Sequence, residues 1–172
     1  ERVTLVGIHT GGAIAIQLAV DLPERVHSLI VLGCPLLDKE EAQSWFETYI
    51  PPFTLSANGA YLEWLWSRYQ RIWGRETPVE LLHLAVTEFL RTAHRYDWGY
   101  RAAFGFDAAR LLPQVTCRTL FLDTEGDMLR SKNEPSVALT PHAEGRIINS
   151  PYGQYPARDP EGFASELFAF LE

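Results

Sequence analysis

The spacing of apolar residues along the chain follows two different rules. Val3 to Gly7 is a short β-rich run ending in glycine, and Gly11 to Leu22 is a small-residue stretch with Ala13, Ile16 and Ala19 at helical spacing. This predicts a strand, a tight turn and a helix. Pro23-Glu24 stops the helix, and Ser28 to Leu32 is an unbroken apolar run closed by Gly33-Cys34-Pro35. Such a run fits a parallel strand covered on both faces, so residues 1–35 read as a βαβ unit.

From Leu36 to about Pro113 the strand-like runs disappear. Amphipathic stretches predict helices over Asp38 to Tyr49, Ala60 to Trp73, Pro78 to His94 and Trp98 to Phe106. Pro51-Pro52 and Ser56-Ala57-Asn58-Gly59 separate them, and Thr77-Pro78 reads as an N-cap followed by a first-turn proline. All five Trp fall in this stretch, so residues 36–113 are expected to form an all-helical insertion. Strands return afterwards at Arg118 to Leu122 and Arg146 to Asn149, with a polar loop from Asp123 to Met128 between them. Asp159 to Leu171 closes the chain as a helix, with Phe163, Leu167, Phe168 and Leu171 at a spacing that puts one face on the sheet. The fold class is therefore α/β, a mostly parallel sheet flanked by helices. Residues 1–35 and 114–172 form its core and 36–113 the insertion.

Composition narrows the function classes. Lys and Arg total 15 against 22 Asp and Glu, a formal charge of −7, and no basic run could follow a phosphate backbone, so nucleic acid is excluded as a partner. Cys34 and Cys117 lie far apart with no Cys or His at ligand spacing, which gives neither a disulfide framework nor a zinc signature. A reducing, cytoplasmic setting is expected, with no metal and no organic cofactor. No apolar stretch approaches the roughly 20 residues of a membrane span. The chain enters Val3 without an initiator Met or a charged-then-apolar leader, so a cropped protein is expected. The remaining partner class is a small-molecule substrate or ligand.

The chemistry centres on Gly7-Ile8-His9-Thr10-Gly11-Gly12. It stands between a strand and a helix, the context of a G-x-S-x-G nucleophile elbow. That turn is so sharp that only small residues fit two before and two after its centre, positions held here by Gly7 and Gly11. The run Leu5-Val6-Gly7, then Gly11-Gly12-Ala13-Ile14-Ala15, Leu22-Pro23-Glu24-Arg25-Val26 and Leu29-Ile30-Val31-Leu32, resembles the elbow region of the α/β-hydrolase superfamily. Thr119-Leu120-Phe121-Leu122 through Asp127 resembles the strand and loop that present the family's acid. Tyr155-Pro156-Ala157-Arg158-Asp159-Pro160-Glu161-Gly162-Phe163-Ala164 resembles its closing helix.

The resemblance implies that the chain is the C-terminal portion of such a protein, without the N-terminal strands, and that residues 36–113 are a helical cap. It also implies an acid at Asp127, with Asp123 and Glu125 as rivals, and an oxyanion donor at the backbone N–H of Thr10. Two departures stand against the family pattern. His9 occupies the serine position, and the loop Ser150 to Pro156 has no histidine, with Gln154 or Tyr152 where the family's triad His would be. With neither nucleophile nor proton shuttle, the usual acyl-enzyme route is closed.

An imidazole is longer than a serine side chain, so a contact between His9 and Asp127, direct or through one water, is expected. That pair would make His9 a base for water or a substrate proton, in a hydrolase acting on a small apolar ester, lactone or C–C-bond substrate. The alternative is an inactive small-molecule binder or scaffold of the same fold. Ile8, Trp64, Tyr69 and Trp98 are the residues expected to touch the substrate. His27, His83, His94 and His142 have no partners at useful spacing.

Overall fold

In the computed structural model, which describes residues 1–172, the apolar runs become one sheet of four parallel strands, hydrogen-bonded in chain order. These are β1 (Val3–Ile8), β2 (Val26–Leu32), β3 (Arg118–Thr124) and β4 (Ala143–Ile148). The register sets Gly7 beside Val31 and Val31 beside Phe121. Because all strands run the same way, the turns after β1, β2, β3 and β4 emerge along one edge of the sheet. In open parallel sheets that edge is where ligands bind.

The strand period of two divides the core. Leu29, Val31 and Phe121 point to one face, where Ile16 and Ala19 of helix α1 (Thr10–Asp21) cover them. Ile30, Leu32, Leu120 and Leu122 point to the other, against Phe170 of helix α9 (Pro160–Leu171). Each of these large side chains contributes about 1.5–3 kcal/mol by leaving water. Phe163, Leu167 and Phe170 form the inward stripe of α9. Phe168 and Leu171, expected to face the sheet, are 66% and 39% exposed, because each lies one residue past an inward position, Leu167 or Phe170, and so about 100° round the helix.

The helical stretch contains α2 (Lys39–Tyr49), α3 (Ala60–Trp73), α4 (Val79–Arg91) and α5 (Tyr96–Phe104). A capping box starts α2: the Asp38 carboxylate accepts the Glu40 and Glu41 N–H groups while the Glu41 side chain accepts the Asp38 N–H. Thr77 does not cap α4 as its position before Pro78 predicts. Its hydroxyl donates back to the carbonyls of Trp73 and Gly74, groups with no partner inside the helix where α3 ends. Aromatic rings knit the stretch together. Trp45, Phe46 and Tyr49 of α2 pack edge-on with Phe104 and Tyr100 of α5, and Phe53 meets Trp64, Phe89 and Tyr96.

Helix α6 (Ala108–Leu111) and the turn after it bring Ala108, Leu111 and Leu112 into the α1 side of the sheet core. The sheet core thus takes in residues that periodicity grouped with the helical stretch. Helix α7 (Asn133–Leu139), too short and polar to be expected from periodicity, links β3 to β4. Tyr155–Arg158 forms the short helix α8 just before α9. No helix is long and apolar enough to cross a membrane, and both cysteines are buried and free.

Candidate active site

The turn after β1 is held in an uncommon conformation. His9 has φ 49° and ψ −111°, in the left-handed half of the map that residues with a Cβ avoid. Its N–H donates to the Leu32 carbonyl (2.7 Å), and its own carbonyl accepts from Gly12 and Ala13 at the start of α1 (2.9 and 3.2 Å). A backbone held this way costs on the order of 1–3 kcal/mol and persists where surrounding contacts enforce it.

The glycines explain how the turn closes. A Cβ on Gly7 would lie 2.7 Å from Gly12 Cα and closer still to the Gly11 carbonyl, and one on Gly12 would press on Val31 Cγ1 at 3.0 Å. At Gly11 a Cβ would meet nothing within 4 Å. The two crowded positions are therefore Gly7 and Gly12, rather than the Gly7 and Gly11 that the motif predicts.

His9 and Asp127 meet across the mouths of β1 and β3. His9 Nε2 lies 2.9 Å from Asp127 Oδ2 and 3.2 Å from Oδ1, with the two side chains 24% and 8% exposed. Asp127 Oδ1 also accepts the Leu129 N–H at 2.9 Å. Burial pushes the Asp127 carboxyl upward. The hydrogen bond from His9, the His9 charge and the Leu129 N–H outweigh it, and the carboxyl settles below its ordinary value. A carboxylate can only accept, so the imidazole must donate from Nε2, and in the neutral ring this leaves the lone pair on Nδ1. Nδ1 makes no hydrogen bond to the protein and is not sealed in.

The rival carboxylates do other things. Glu125 is exposed and pairs with Arg130 at 3.2 Å. Asp123, at the end of β3, is 2% exposed. Its Oδ1 accepts the Gly33 N–H (2.6 Å) and its Oδ2 accepts from Asn133 Nδ2 (2.7 Å). Burial pushes its carboxyl up to about 6, helped by the Asp127 charge and opposed by those two hydrogen bonds and His9. Gly33 itself sits at φ +62° beside the His9 ring and within reach of Asp127.

Above His9 lies a cavity of about 170 Å³ whose wall is mostly apolar. His9, Thr10 and Gln154 contribute from the sheet edge, Trp45 and Tyr49 from α2, Tyr69 and Trp73 from α3, and Tyr100 and Phe104 from α5. Of the four residues expected to touch substrate, Tyr69 lines this cavity and Ile8, Trp64 and Trp98 do not. Trp64 precedes Tyr69 by five residues, roughly 140° round the helix, and packs on Phe53 instead. Trp98 is 60% exposed with Arg95 over its ring, and Ile8 points from the outer face of β1. The wall residues Trp45, Tyr49, Trp73, Tyr100 and Phe104 were legible only as aromatic helix positions, since which ring faces inward depends on how the helices cross.

Thr10 opens α1, and its backbone N–H belongs to the first turn, where no intrahelical acceptor exists. Gln154 borders both the cavity and the His9–Asp127 pair, with φ 59°. Tyr152 is turned aside, its ring 4.3 Å beneath the Arg158 guanidinium. No group of three or more His, Cys, Asp or Glu side chains converges as metal ligands.

No known family profile matches the chain. Solved structures do. One is Est816, described as an N-acyl homoserine lactone degrading enzyme: TM-score 0.69 and 24% identity, over 99% of this chain and 68% of that one. A hydrolase from Pseudomonas aeruginosa superposes with TM-score 0.76 at 18% identity, over 99% and 64%. MenH from S. aureus gives 0.74 at 18%, over 99% and 68%. The chain thus spans 64% to 68% of the length of these three.

Proposed function

We propose that this chain, which has the α/β-hydrolase fold, is a hydrolase of small apolar esters or lactones in which His9 acts as a general base oriented by Asp127. The observation that carries the proposal is the 2.9 Å contact of His9 Nε2 with Asp127, which leaves Nδ1 as the free nitrogen of a residue that lines the cavity. Helices α2 to α5 act as the cap over the elbow. Lactone chemistry enters because one similar structure is described as a lactone-degrading enzyme and another as an enol-lactonase.

In this reading His9 Nδ1 takes a proton from a water molecule as the water oxygen bonds to the acyl carbon. The carbonyl electron pair moves onto oxygen, where the Thr10 N–H donates to the developing oxyanion. The tetrahedral adduct collapses, the acyl–oxygen bond breaks, and the imidazolium returns its proton to the leaving alkoxide. Asp127 stays ionised throughout and steadies the imidazolium. No covalent acyl-enzyme forms, consistent with the absence of serine at position 9.

The test is hydrolysis of activated esters and lactones by wild type, His9→Ala and Asp127→Asn. His9→Ala is expected to lose about 10²–10⁴-fold in kcat/KM, the usual contribution of a positioned base, and Asp127→Asn a smaller part of it. Equal rates in all three proteins would leave the fold as a ligand-binding scaffold only.

A further inference from the structure

The cavity wall carries hydrogen-bond donors that the protein itself does not use. Buried tyrosine hydroxyls ordinarily find a partner. Here the Tyr69 and Tyr100 hydroxyls bond to no protein atom, the Tyr49 hydroxyl reaches only the Met128 sulfur at 3.5 Å, and none of the three is sealed within the protein. Tyr69 is held up to about 12 and Tyr49 higher still, both chiefly by burial, so both remain O–H donors. Met sulfur is a weak acceptor, so the wall offers O–H donors that no strong protein acceptor occupies and that an oxygen acceptor in the cavity can take.

Size and charge limit what can supply them. A cavity of about 170 Å³ is close to the roughly 150 Å³ apolar space known to hold one benzene ring. Its sides are the ring faces and edges of Trp45, Trp73 and Phe104 together with the three tyrosines, surfaces that favour offset or edge-on contact with another aromatic ring. No Lys, Arg, Asp or Glu is part of the wall. Two charges stand behind it: the Asp127 carboxylate beneath His9, which disfavours an anion, and the buried Arg68 guanidinium, which lies 5.2 Å from the Tyr49 ring centroid, outside the lining, and already donates to the Tyr49 carbonyl.

We propose that the cavity selects a neutral, single-ring aromatic compound bearing a carbonyl group, an aryl ketone or aryl ester, whose oxygen is bound by the Tyr69 and Tyr100 phenols. The proposal names the substrate class of the site described above but concerns binding alone, so it does not depend on His9 acting as a base.

The test is calorimetric and thermal-shift binding of acetophenone, ethylbenzene and benzoate to the full chain, comparing wild type with Tyr69→Phe, Tyr100→Phe, the double variant and His9→Ala. Ethylbenzene keeps the ring and the two side-chain carbons of acetophenone but lacks the oxygen, and phenylalanine keeps the tyrosine ring but lacks the donor. Acetophenone is expected to bind wild type about tenfold more tightly than ethylbenzene, as two modest net hydrogen bonds allow, and more tightly than benzoate. The preference should shrink in each single variant and vanish in the double variant. Ethylbenzene affinity should stay level throughout, which also shows that the variants are folded.

Equal binding of acetophenone and ethylbenzene, a preference that survives in the double variant, benzoate binding as tight as acetophenone, or no binding of any probe would each overturn the proposal. The two readings fail separately. Hydrolysis indifferent to His9→Ala with the acetophenone preference intact removes only the catalytic one, and His9-dependent hydrolysis without that preference removes only this one.

Discussion

The backbone N–H of Gly33 donates to Asp123 Oδ1 across 2.6 Å, and that bond fixes the turn after β2 against the imidazole of His9. The pair His9–Asp127 is therefore one layer of a two-layer arrangement. A second carboxylate, buried beneath it, holds the backbone on which the ring rests.

Gly33→Ala tests that layer. A Cβ at position 33 would run into His9 Cδ2 and lie 2.5 Å from Nε2, and the backbone there is at φ +62°, where a Cβ costs about 1–2 kcal/mol on its own. The variant is expected to lose about 1–3 kcal/mol in urea unfolding and to displace the ring. Nitrogen-15 chemical shifts of the His9 imidazole should change from those of a ring protonated at Nε2. Unchanged shifts would mean that Gly33 does not position it.

The pH dependence of stability has a defined sign at Asp123. Its folded carboxyl titrates near 6 against 3.8 as the ordinary value, so between about pH 4 and 6 the folded protein keeps a proton that the unfolded chain has released. Stability attributable to this group falls as pH rises through that window, by up to about 3 kcal/mol. Asp127 runs the other way: lowered in the fold, it adds stability above its unfolded value that disappears as pH drops below about 4. Asp123→Asn should abolish the first trend and keep the second. Urea midpoints at about pH 2.5, 4.5 and 7.5 measure both trends, because any cost of setting the new amide against Asn133 is common to all three pH values. A wild type and variant with parallel profiles would contradict it.

Arg158 ties the helical stretch to the sheet edge. Its Nη2 donates to the Trp73 carbonyl (2.7 Å) and Thr77 Oγ1 (2.6 Å) while its guanidinium lies over Tyr152. Arg158→Ala should cost about 2–4 kcal/mol, from two charge-assisted hydrogen bonds, and speed proteolytic cleavage between α3 and α4. Arg158→Lys should recover little, since an ammonium cannot stack and fork together. Full recovery with lysine would show that charge alone matters there.

What could be read from the sequence follows the range of each interaction. The strands and α1, α3 and α9 were visible because their apolar periods are set by neighbours a few residues away. The contact of His9 with Asp127 was foreseeable from side-chain length and the elbow's geometry. Asp123 and Gly33 were not foreseen as a pair, because nothing local to either residue says that β2 and β3 end side by side. Thr77 was misplaced for a related reason: the carbonyls its hydroxyl serves belong to the helix before it, and a threonine ahead of a proline looks like the start of the next. Tyr69 and Trp64 have similar sequence surroundings, and only the rotation of α3 against α2 and α5 turns one toward the cavity and the other toward Phe53.

The glycine after β2 also bears on how such a site could arise. An imidazole in the elbow takes up space that any side chain at position 33 would claim, so His9 and Gly33 constrain each other's histories. A lineage that acquired the histidine over a larger neighbour would have met a clash, and one that now enlarges position 33 would have to surrender the ring. Grafting histidine into the elbow of another protein of this fold accordingly calls for a glycine at the position that matches Gly33.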